Sequence, residues 1–153
     1  NALVGRKTAR DGGRSAKAIA RGIEATEREL ASSGSAAARA MHKHLSAARQ
    51  AFVDVVDFVA GQTTAGPASA NAVFAGSVPY LMLAGNLMAG WQMARALLVA
   101  EDELAADQDT AFMQAKIATA RFYAEHLLSK APGIRDSIVE GHASVNEMAL
   151  DAF

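Results

Sequence analysis

The stretch that decides the fold of this chain covers residues 80–98, YLMLAGNLMAGWQMARALL. It lies at the end of a long uncharged run, because no Asp, Glu, Lys or Arg occurs between Asp57 and Arg95. A run of this kind has to be withdrawn from water, either in a membrane or in a protein core. The choice between these two environments determines which class of protein the sequence encodes.

This run is interrupted too often for a membrane-spanning helix. Such a helix needs about 20 predominantly apolar residues, whereas this stretch contains Asn86 and Gln92, follows Pro79 and is weakened by Gly85 and Gly90. Its flanks also lack the basic cluster and the paired aromatic belts of a spanning segment. The sequence therefore predicts a helix buried at the centre of a protein core, and the membrane-spanning helix is the less favoured alternative.

Composition restricts the class of protein further. The 153 residues include 51% hydrophobic and 20% charged side chains, which suits one domain with its own core. A formal net charge of −1 favours neither nucleic acid nor an anionic membrane as a partner. The absence of cysteine excludes disulfides, thiolate metal sites and a cysteine nucleophile, and it fits the reducing cytoplasm. The first 20 residues contain no apolar segment of a signal peptide.

The chain begins Asn1-Ala2 rather than with Met, so residues 1–2 are interpreted as a possible remnant of an expression tag. On that interpretation the sequence is a piece of a longer protein. Residues 1–153 are predicted to form a single helical domain.

Patterning predicts helices throughout, because alanine is abundant, only three prolines occur and no strand-like alternation is found. Gly61 and the loop at 61–69 separate the second helix from the third, in which Pro79 should produce a kink or a restart. Asp107 is the expected N-cap of the fourth helix, and Pro132-Gly133 its stop. The predicted helices cover residues 14–31, 35–60, 70–105 and 107–130, with short pieces at 133–140 and after a capping box at Ser144 and Glu147.

Apolar residues of three helices recur at spacings of three and four, a heptad seam rather than a loose apolar face. Four long helices with such seams predict an antiparallel four-helix bundle with helices packed near +20°. Small residues one turn apart, Gly85 with Ala89 and Gly90 with Ala94, predict close approach of neighbouring helices. The seams are Ile19, Ile23, Thr26 and Leu30; Met41, Leu45, Ala48, Phe52, Val55 and Val59; and Met113, Ile117, Ala120, Ala124 and Leu127.

The chain carries no phosphate-binding, nucleophile-elbow or zinc-protease motif. The Glu-x-x-His pairs of a di-iron bundle are missing too, since Tyr123 and Val139 precede His126 and His142 by three positions. The remaining polar residues are interpreted without a chemical role. His42 and His44, the acidic run at 101–103 and the basic patch from Arg6 to Lys17 are predicted to be solvated. Tyr123, between Arg121 and Glu125, is predicted to be a packing residue. No catalytic, cofactor-binding or metal-ligating residue is predicted.

Three segments resemble the C-terminal region of bacterial FAD-dependent acyl-CoA dehydrogenases, in the long class similar to 3-methylmercaptopropionyl-CoA dehydrogenase. They are LVGRKTARDGG at 3–13, YLMLAGNLMAGWQMARALL at 80–98 and AKIATARFYAEHLL at 115–128. The last two are the most specific, with small, amide and aromatic residues in a characteristic order. The resemblance covers essentially the whole chain, although residues 32–70 contribute little to it.

The resemblance implies a parent flavoprotein that oxidises an acyl-CoA thioester to 2-enoyl-CoA in fatty acid metabolism. A glutamate takes the α proton and FAD takes the β hydride. In many members that glutamate lies in an Ile-Tyr-Glu-Gly-Thr segment just before Leu-Val-Gly-Arg, and no such segment occurs here. The resemblance therefore implies a C-terminal fragment of a cytoplasmic oxidoreductase, itself without catalytic residues, whose partners are the upstream catalytic domains and further copies in a homo-oligomer. A stand-alone helical interaction or dimerisation module is the alternative.

Overall fold

The computed structural model of the chain describes residues 2–65 and 69–147. The described residues are almost entirely helical and include no strand, which confirms the all-α fold. A π-helical segment at Ala2–Thr8 and a short 3-10 turn at Ala9–Asp11 precede the first α-helix, and a second 3-10 turn at Leu128–Lys130 precedes the sixth. The α-helices are α1 Arg14–Ser33, α2 Ala36–Thr64, α3 Ala70–Ala75, α4 Ser77–Ala105, α5 Thr110–His126, α6 Ala131–Val139 and α7 His142–Asn146.

The pair α2 and α4 forms the centre of the fold, and α1, α5 and α6 each pack against both of these helices. Thr26 bonds to Trp91 and Ser33 bonds to Glu101, so α1 and α4 run in the same direction. The helix α2 runs opposite to α1, because its later residue Asp57 pairs with Lys17 at the start of α1. The structure establishes helices packed around this central pair. The more specific assignment to an antiparallel four-helix bundle remains a prediction.

The seam predicted for α2 is confirmed along its whole length. All six of its residues are buried, and most of them are completely enclosed. Burial of a side chain of this size contributes about 1.5–3 kcal/mol through removal of apolar surface from water. The seam of α1 is buried from Ile23 onward, whereas Ile19 stays exposed. In α5 only Ala120 and Ala124 are buried, and the larger members of its seam are half-buried.

The helix α4 is buried on one side only, which corrects the prediction of a fully enclosed central helix. Leu83, Leu87 and Leu97 face the core, whereas Leu81 and Met82 lie on an exposed outer face. The sequence could not separate these two sides, because α4 is apolar nearly all round. Its polar and apolar residues do not alternate with the period of a helical turn. Among the described residues, no helix has the length and apolar character needed to cross a membrane.

Several predicted helix ends were wrong. The helix α2 does not end at Gly61 but continues to Thr64, and Pro67 lies outside the described residues. The long third helix is divided at Gly76, and α4 begins at Ser77. Pro79 therefore occupies the first turn of α4, where its missing N–H breaks no intrahelical hydrogen bond. Gly76 lies against α6, because an added Cβ would approach Ile138 to 2.8 Å.

The connection between α4 and α5 also differs from the prediction. Asp107 and Asp109 both adopt positive φ, and α5 begins at Thr110 without a side-chain cap. The helix α5 ends at His126, and Pro132 lies in the first turn of α6, where its fixed φ favours helix initiation. The predicted capping box is wrong as well, because Ser144 lies within α7 and its hydroxyl donates to the Gly141 carbonyl.

Candidate interaction surface

Two polar contacts, one buried and one partly buried, join α4 to the first part of the chain. The hydroxyls of Thr8 and Tyr80 share a hydrogen bond of 2.8 Å, and the indole Nε1 of Trp91 donates to the Thr26 hydroxyl over 2.9 Å. Burial raises the pKa of Tyr80, which keeps its hydroxyl protonated and able to bond. Sequence reasoning missed both contacts, since the partners lie 72 and 65 positions apart.

A charged cluster fixes α1 against α2. The Arg49 guanidinium donates to both carboxylate oxygens of Glu27, at 2.7 and 3.2 Å, and its Nη1 also lies 3.1 Å from Glu24. Glu27 is buried. The hydrogen bond and charge of Glu27 raise the pKa of Arg49, so the guanidinium stays charged. A two-point contact of this kind sets the register between two helices.

Glu101 connects the end of α4 to the turn between α1 and α2. Its carboxylate accepts from the Ser33 hydroxyl at 2.6 Å and from the Ser35 hydroxyl at 2.5 Å. Ser35 is also the N-cap of α2, as predicted, because its hydroxyl oxygen accepts from the Ala38 N–H. The solvated interpretation of the acidic run was therefore wrong for Glu101, while Asp102 is exposed as expected.

An open groove of about 1110 Å³ lies at this end of the fold, between α1, α2, α4 and α5. Its polar wall includes Glu29, Glu101 and Asp102, with Arg121 opposite them. Arg121 already pairs with Glu125 on its own helix. An acidic groove without a buried free polar group has no feature that selects a ligand.

A smaller apolar pocket of about 340 Å³ lies at the opposite end. The N-terminal segment, α1 and α4 form its wall, and its polar atoms include the hydroxyls of Thr8 and Tyr80, which bond to each other. Ala84 and Met88 of α4 border it, and Met88 also belongs to the exposed outer face of that helix. The pocket and the outer face therefore form one continuous apolar surface.

The predicted solvated histidines are half-buried on α2. Desolvation and the nearby Lys43 lower the pKa of His44, while Glu125 on α5 acts in the opposite direction. The pKa of Glu125 is itself lowered, first by its hydrogen bond with Arg121. Within residues 2–65 and 69–147, no group of three His, Cys, Asp or Glu side chains is arranged to hold a metal ion.

The remaining sequence candidates divide between packing and solvent. Tyr123 is a half-buried packing residue, as predicted, and its hydroxyl donates to the Asn86 carbonyl at 3.2 Å. In the basic N-terminal patch, Lys7 and Arg14 are exposed, whereas Lys17 pairs with Asp57 across α1 and α2.

The two small-residue pairs of α4 have different surroundings. Gly90 faces Leu128, and a Cβ added there would lie 2.7 Å from that side chain. Ala94 is fully buried, so close approach is confirmed for this pair. Gly85 has open space around it, and Ala89 is exposed. No other described residue approaches Gly85 closely, so the predicted close approach of a neighbouring helix is not found within the chain at this pair.

Comparison with known proteins places these features in a family. The family described as "Acetyl-CoA dehydrogenase C-terminal like" matches residues 16–149, from α1 to the end of the described helices. A curated relative, 3-methylmercaptopropionyl-CoA dehydrogenase of Ruegeria pomeroyi, is 48% identical over 128 residues. The match covers 84% of this chain and 21% of the relative, so the chain spans about a fifth of that relative's length. The chain belongs to the acetyl-CoA dehydrogenase C-terminal-like family.

Proposed function

We propose that this chain is one non-catalytic helical domain that braces the catalytic part of an FAD-dependent acyl-CoA dehydrogenase and contributes to contacts between its subunits. The whole enzyme would oxidise an acyl-CoA to a 2-enoyl-CoA in cytoplasmic fatty acid metabolism. The glutamate base and the flavin site would both lie outside residues 1–153. The family match and the small share of the relative that the chain spans support this proposal.

The main support for the proposal is that buried polar groups bond within the fold, whereas large apolar side chains remain exposed on its surface. Among the described residues, every buried side-chain nitrogen or oxygen has a hydrogen-bond partner. These bonds hold helices to one another, as with Tyr80 and Arg49, and leave no buried polar group free for a substrate. Large apolar side chains instead remain exposed on α4 and α5, which is typical of a surface covered by another protein segment.

Among the described residues, the side chains that line the two concave surfaces do not form a site for FAD. A flavin dinucleotide carries a diphosphate, which proteins hold with basic groups or with the N–H groups of a helix N-terminus. The large groove presents Glu29, Glu101 and Asp102, and its one basic side chain, Arg121, is already paired. The smaller pocket is lined mainly by apolar side chains, its Thr8 and Tyr80 hydroxyls bond to each other, and Lys7 is the single basic side chain in its lining. We assign no step of the reaction to residues of this chain.

Sequencing the source gene upstream of Leu3, together with a flavin measurement, tests the proposal. We expect a flavin-binding region and a Tyr-Glu-Gly segment in the same reading frame. The purified 153-residue chain should be colourless, whereas the full polypeptide should carry flavin and reduce it with an acyl-CoA. Stoichiometric flavin absorbance on the 153-residue chain would contradict the proposal, as would an upstream sequence without the catalytic region.

A stand-alone helical interaction module is the second candidate. The exposed apolar faces of α4 and α5 favour it, because such faces suit association with another protein as well as with an upstream domain. A reading frame that starts with Met close to Leu3 would favour this candidate. A frame that continues upstream into a flavin-binding region would exclude it.

A further inference from the structure

The apolar pocket of about 340 Å³ lies at the point where the polypeptide enters the fold. Leu3, Lys7 and Thr8 of the N-terminal segment form one of its walls, while Ile19 of α1 and Met88 of α4 belong to the others. Any polypeptide that precedes Leu3 therefore emerges beside this pocket.

The fold holds this entry point in place. Val4 is 1% exposed and Thr8 is 2% exposed, so the N-terminal segment is anchored in the core on its inner side. Thr8 is bonded at both of its polar groups, because its hydroxyl bonds to that of Tyr80 at 2.8 Å and its carbonyl accepts from the Gly13 N–H at 2.9 Å. These contacts, rather than a free linker, determine where an upstream polypeptide leaves the domain.

The pocket suits apolar side chains of a protein better than a small molecule. Small-molecule sites combine an apolar lining with a few free polar groups that orient the ligand. Here the hydroxyls of Thr8 and Tyr80 bond to each other. Met88 also joins the pocket to the outer face of α4, where Leu81 and Met82 are 60% and 56% exposed. The apolar surface is therefore larger than the pocket, as expected for contact with a protein segment.

We infer that this pocket is the docking site of the polypeptide upstream of Leu3, which places apolar side chains in it and a carboxylate beside Lys7. This docking site rests on the proposed function, because it requires the upstream catalytic part, and it names the surface that receives that part. The chain spans about a fifth of its relative, so most of the proposed parent would lie outside it.

The covalent connection favours the upstream polypeptide over a second copy or another protein. A segment tethered beside the pocket has an effective concentration there on the order of millimolar. A free partner would have to exceed that concentration, or bind correspondingly more tightly, to displace the tethered segment. Because Leu3 lies in the pocket wall itself, this advantage applies to the pocket more than to any surface at the opposite end of the fold.

The charges around the pocket define the chemistry of the docking segment. Lys7 is exposed, is the single basic side chain of the pocket lining and has no ion-pair partner among the described residues. No charged residue occurs on α4 before Arg95, so apolar groups can cover its neighbouring face without desolvating a charge. An apolar segment with an acidic residue at its edge matches both features.

Photochemical cross-linking from within the pocket identifies its occupant. In the full polypeptide encoded by the source gene, the photo-reactive p-benzoylphenylalanine replaces Ile19, which lines the pocket and is 42% exposed. Phe74 on α3 is the matched control position, since it is also 42% exposed and does not line the pocket. We expect position 19 to capture a peptide from upstream of Leu3 in a product of monomer mass on a denaturing gel. Position 74 should capture about tenfold less of that peptide, because the tether concentrates the segment at the pocket.

Four results of this experiment would overturn the docking site. They are a product of twice the monomer mass, capture confined to residues 1–153 or to another protein, no product at position 19, and equal capture of the upstream peptide at positions 19 and 74. The first two would assign the pocket to another subunit, to this domain alone or to a foreign protein.

Thiol labelling tests the carboxylate beside Lys7. Since residues 1–153 contain no cysteine, Ile19→Cys introduces a single thiol into this domain of the full polypeptide, and mass spectrometry follows its reaction with a maleimide. We expect Lys7→Glu to accelerate labelling about fivefold, because an exposed ion pair becomes a repulsion and the segment leaves the pocket more often. Lys116→Glu on α5 is the control, since Lys116 is exposed and distant from the pocket lining.

Equal labelling rates in the two charge variants would exclude a carboxylate beside Lys7, and circular dichroism establishes that both retain their helices. These outcomes are separate from the proposed function, which the upstream sequence and flavin binding decide. A flavin-containing parent whose position 19 captures no upstream peptide would reject the docking site alone.

Discussion

The hydroxyls of Thr8 and Tyr80 lie 2.8 Å apart and bond to each other in the interior, although 72 positions separate them in the chain. Tyr80 is the first residue of the stretch that decides the fold, and Thr8 is the last residue of the π-helical segment at the start of the chain. Their bond holds that segment against α4. Both residues are almost fully buried, so neither hydroxyl has access to bulk water as a substitute partner.

We therefore expect Tyr80→Phe to lower the free energy of unfolding by about 1–3 kcal/mol, because the Thr8 hydroxyl is left buried without a partner. Tyr123→Phe is the matched control, since Tyr123 is half-buried and water can replace its hydroxyl at the Asn86 carbonyl. Urea denaturation followed by circular dichroism gives both values. Equal losses in the two variants would show that the buried bond has no special contribution.

Burial of Tyr80 also predicts a dependence of stability on alkaline pH. Burial raises the pKa of Tyr80 in the folded chain, while an unfolded tyrosine loses its proton near pH 10. Above pH 10 the unfolded state therefore binds fewer protons than the folded state, and the free energy of unfolding falls. The contribution is complete below about pH 10 and is lost as pH rises through the folded-state pKa. Denaturation at pH 8.5 and 11 should show a smaller alkaline loss in Tyr80→Phe, and an unchanged loss would exclude Tyr80 as its source.

Two glycines of α4 should respond in opposite directions to the same substitution. Gly90→Ala places a Cβ 2.7 Å from Leu128, so we expect a loss of about 1–3 kcal/mol from overpacking. Gly85→Ala meets open space and should stabilise the monomer by up to about 1 kcal/mol through helix propensity. Thermal denaturation at low protein concentration keeps association out of the comparison. A stabilising Gly90→Ala would mean that Leu128 moves aside at little cost.

The Glu27–Arg49 pair should contribute more to stability than the pair on the surface of α5. Glu27→Gln leaves the Arg49 guanidinium partly buried with only the more exposed Glu24 as a counter-charge, and we expect a loss of about 1–3 kcal/mol. Glu125→Gln breaks an exposed i,i+4 pair with Arg121 and should cost much less. Chemical denaturation at low and high salt compares the two. A larger effect of Glu125→Gln would reverse this ranking.

The sequence by itself determined the all-helical fold and the buried seam of α2. Each depends on local spacing: residues from Met41 to Val59 recur at three and four positions, and polar neighbours on the other faces make the apolar side of α2 unambiguous. Residue order in 80–98 also pointed to the family that the comparisons show.

Tertiary structure alone decided which side of α4 is covered and where its polar residues bond. The outer and inner faces of this helix are equally apolar in sequence, so only the positions of α1, α2 and α5 separate the buried Leu83 from the exposed Leu81. The bonds of Tyr80 and Glu101 likewise depend on segments more than 60 positions away. The spacing of apolar residues predicts a helix and, where polar residues alternate with them, its buried face. In a helix that is apolar on all sides, only contacts with neighbouring helices determine which face is buried.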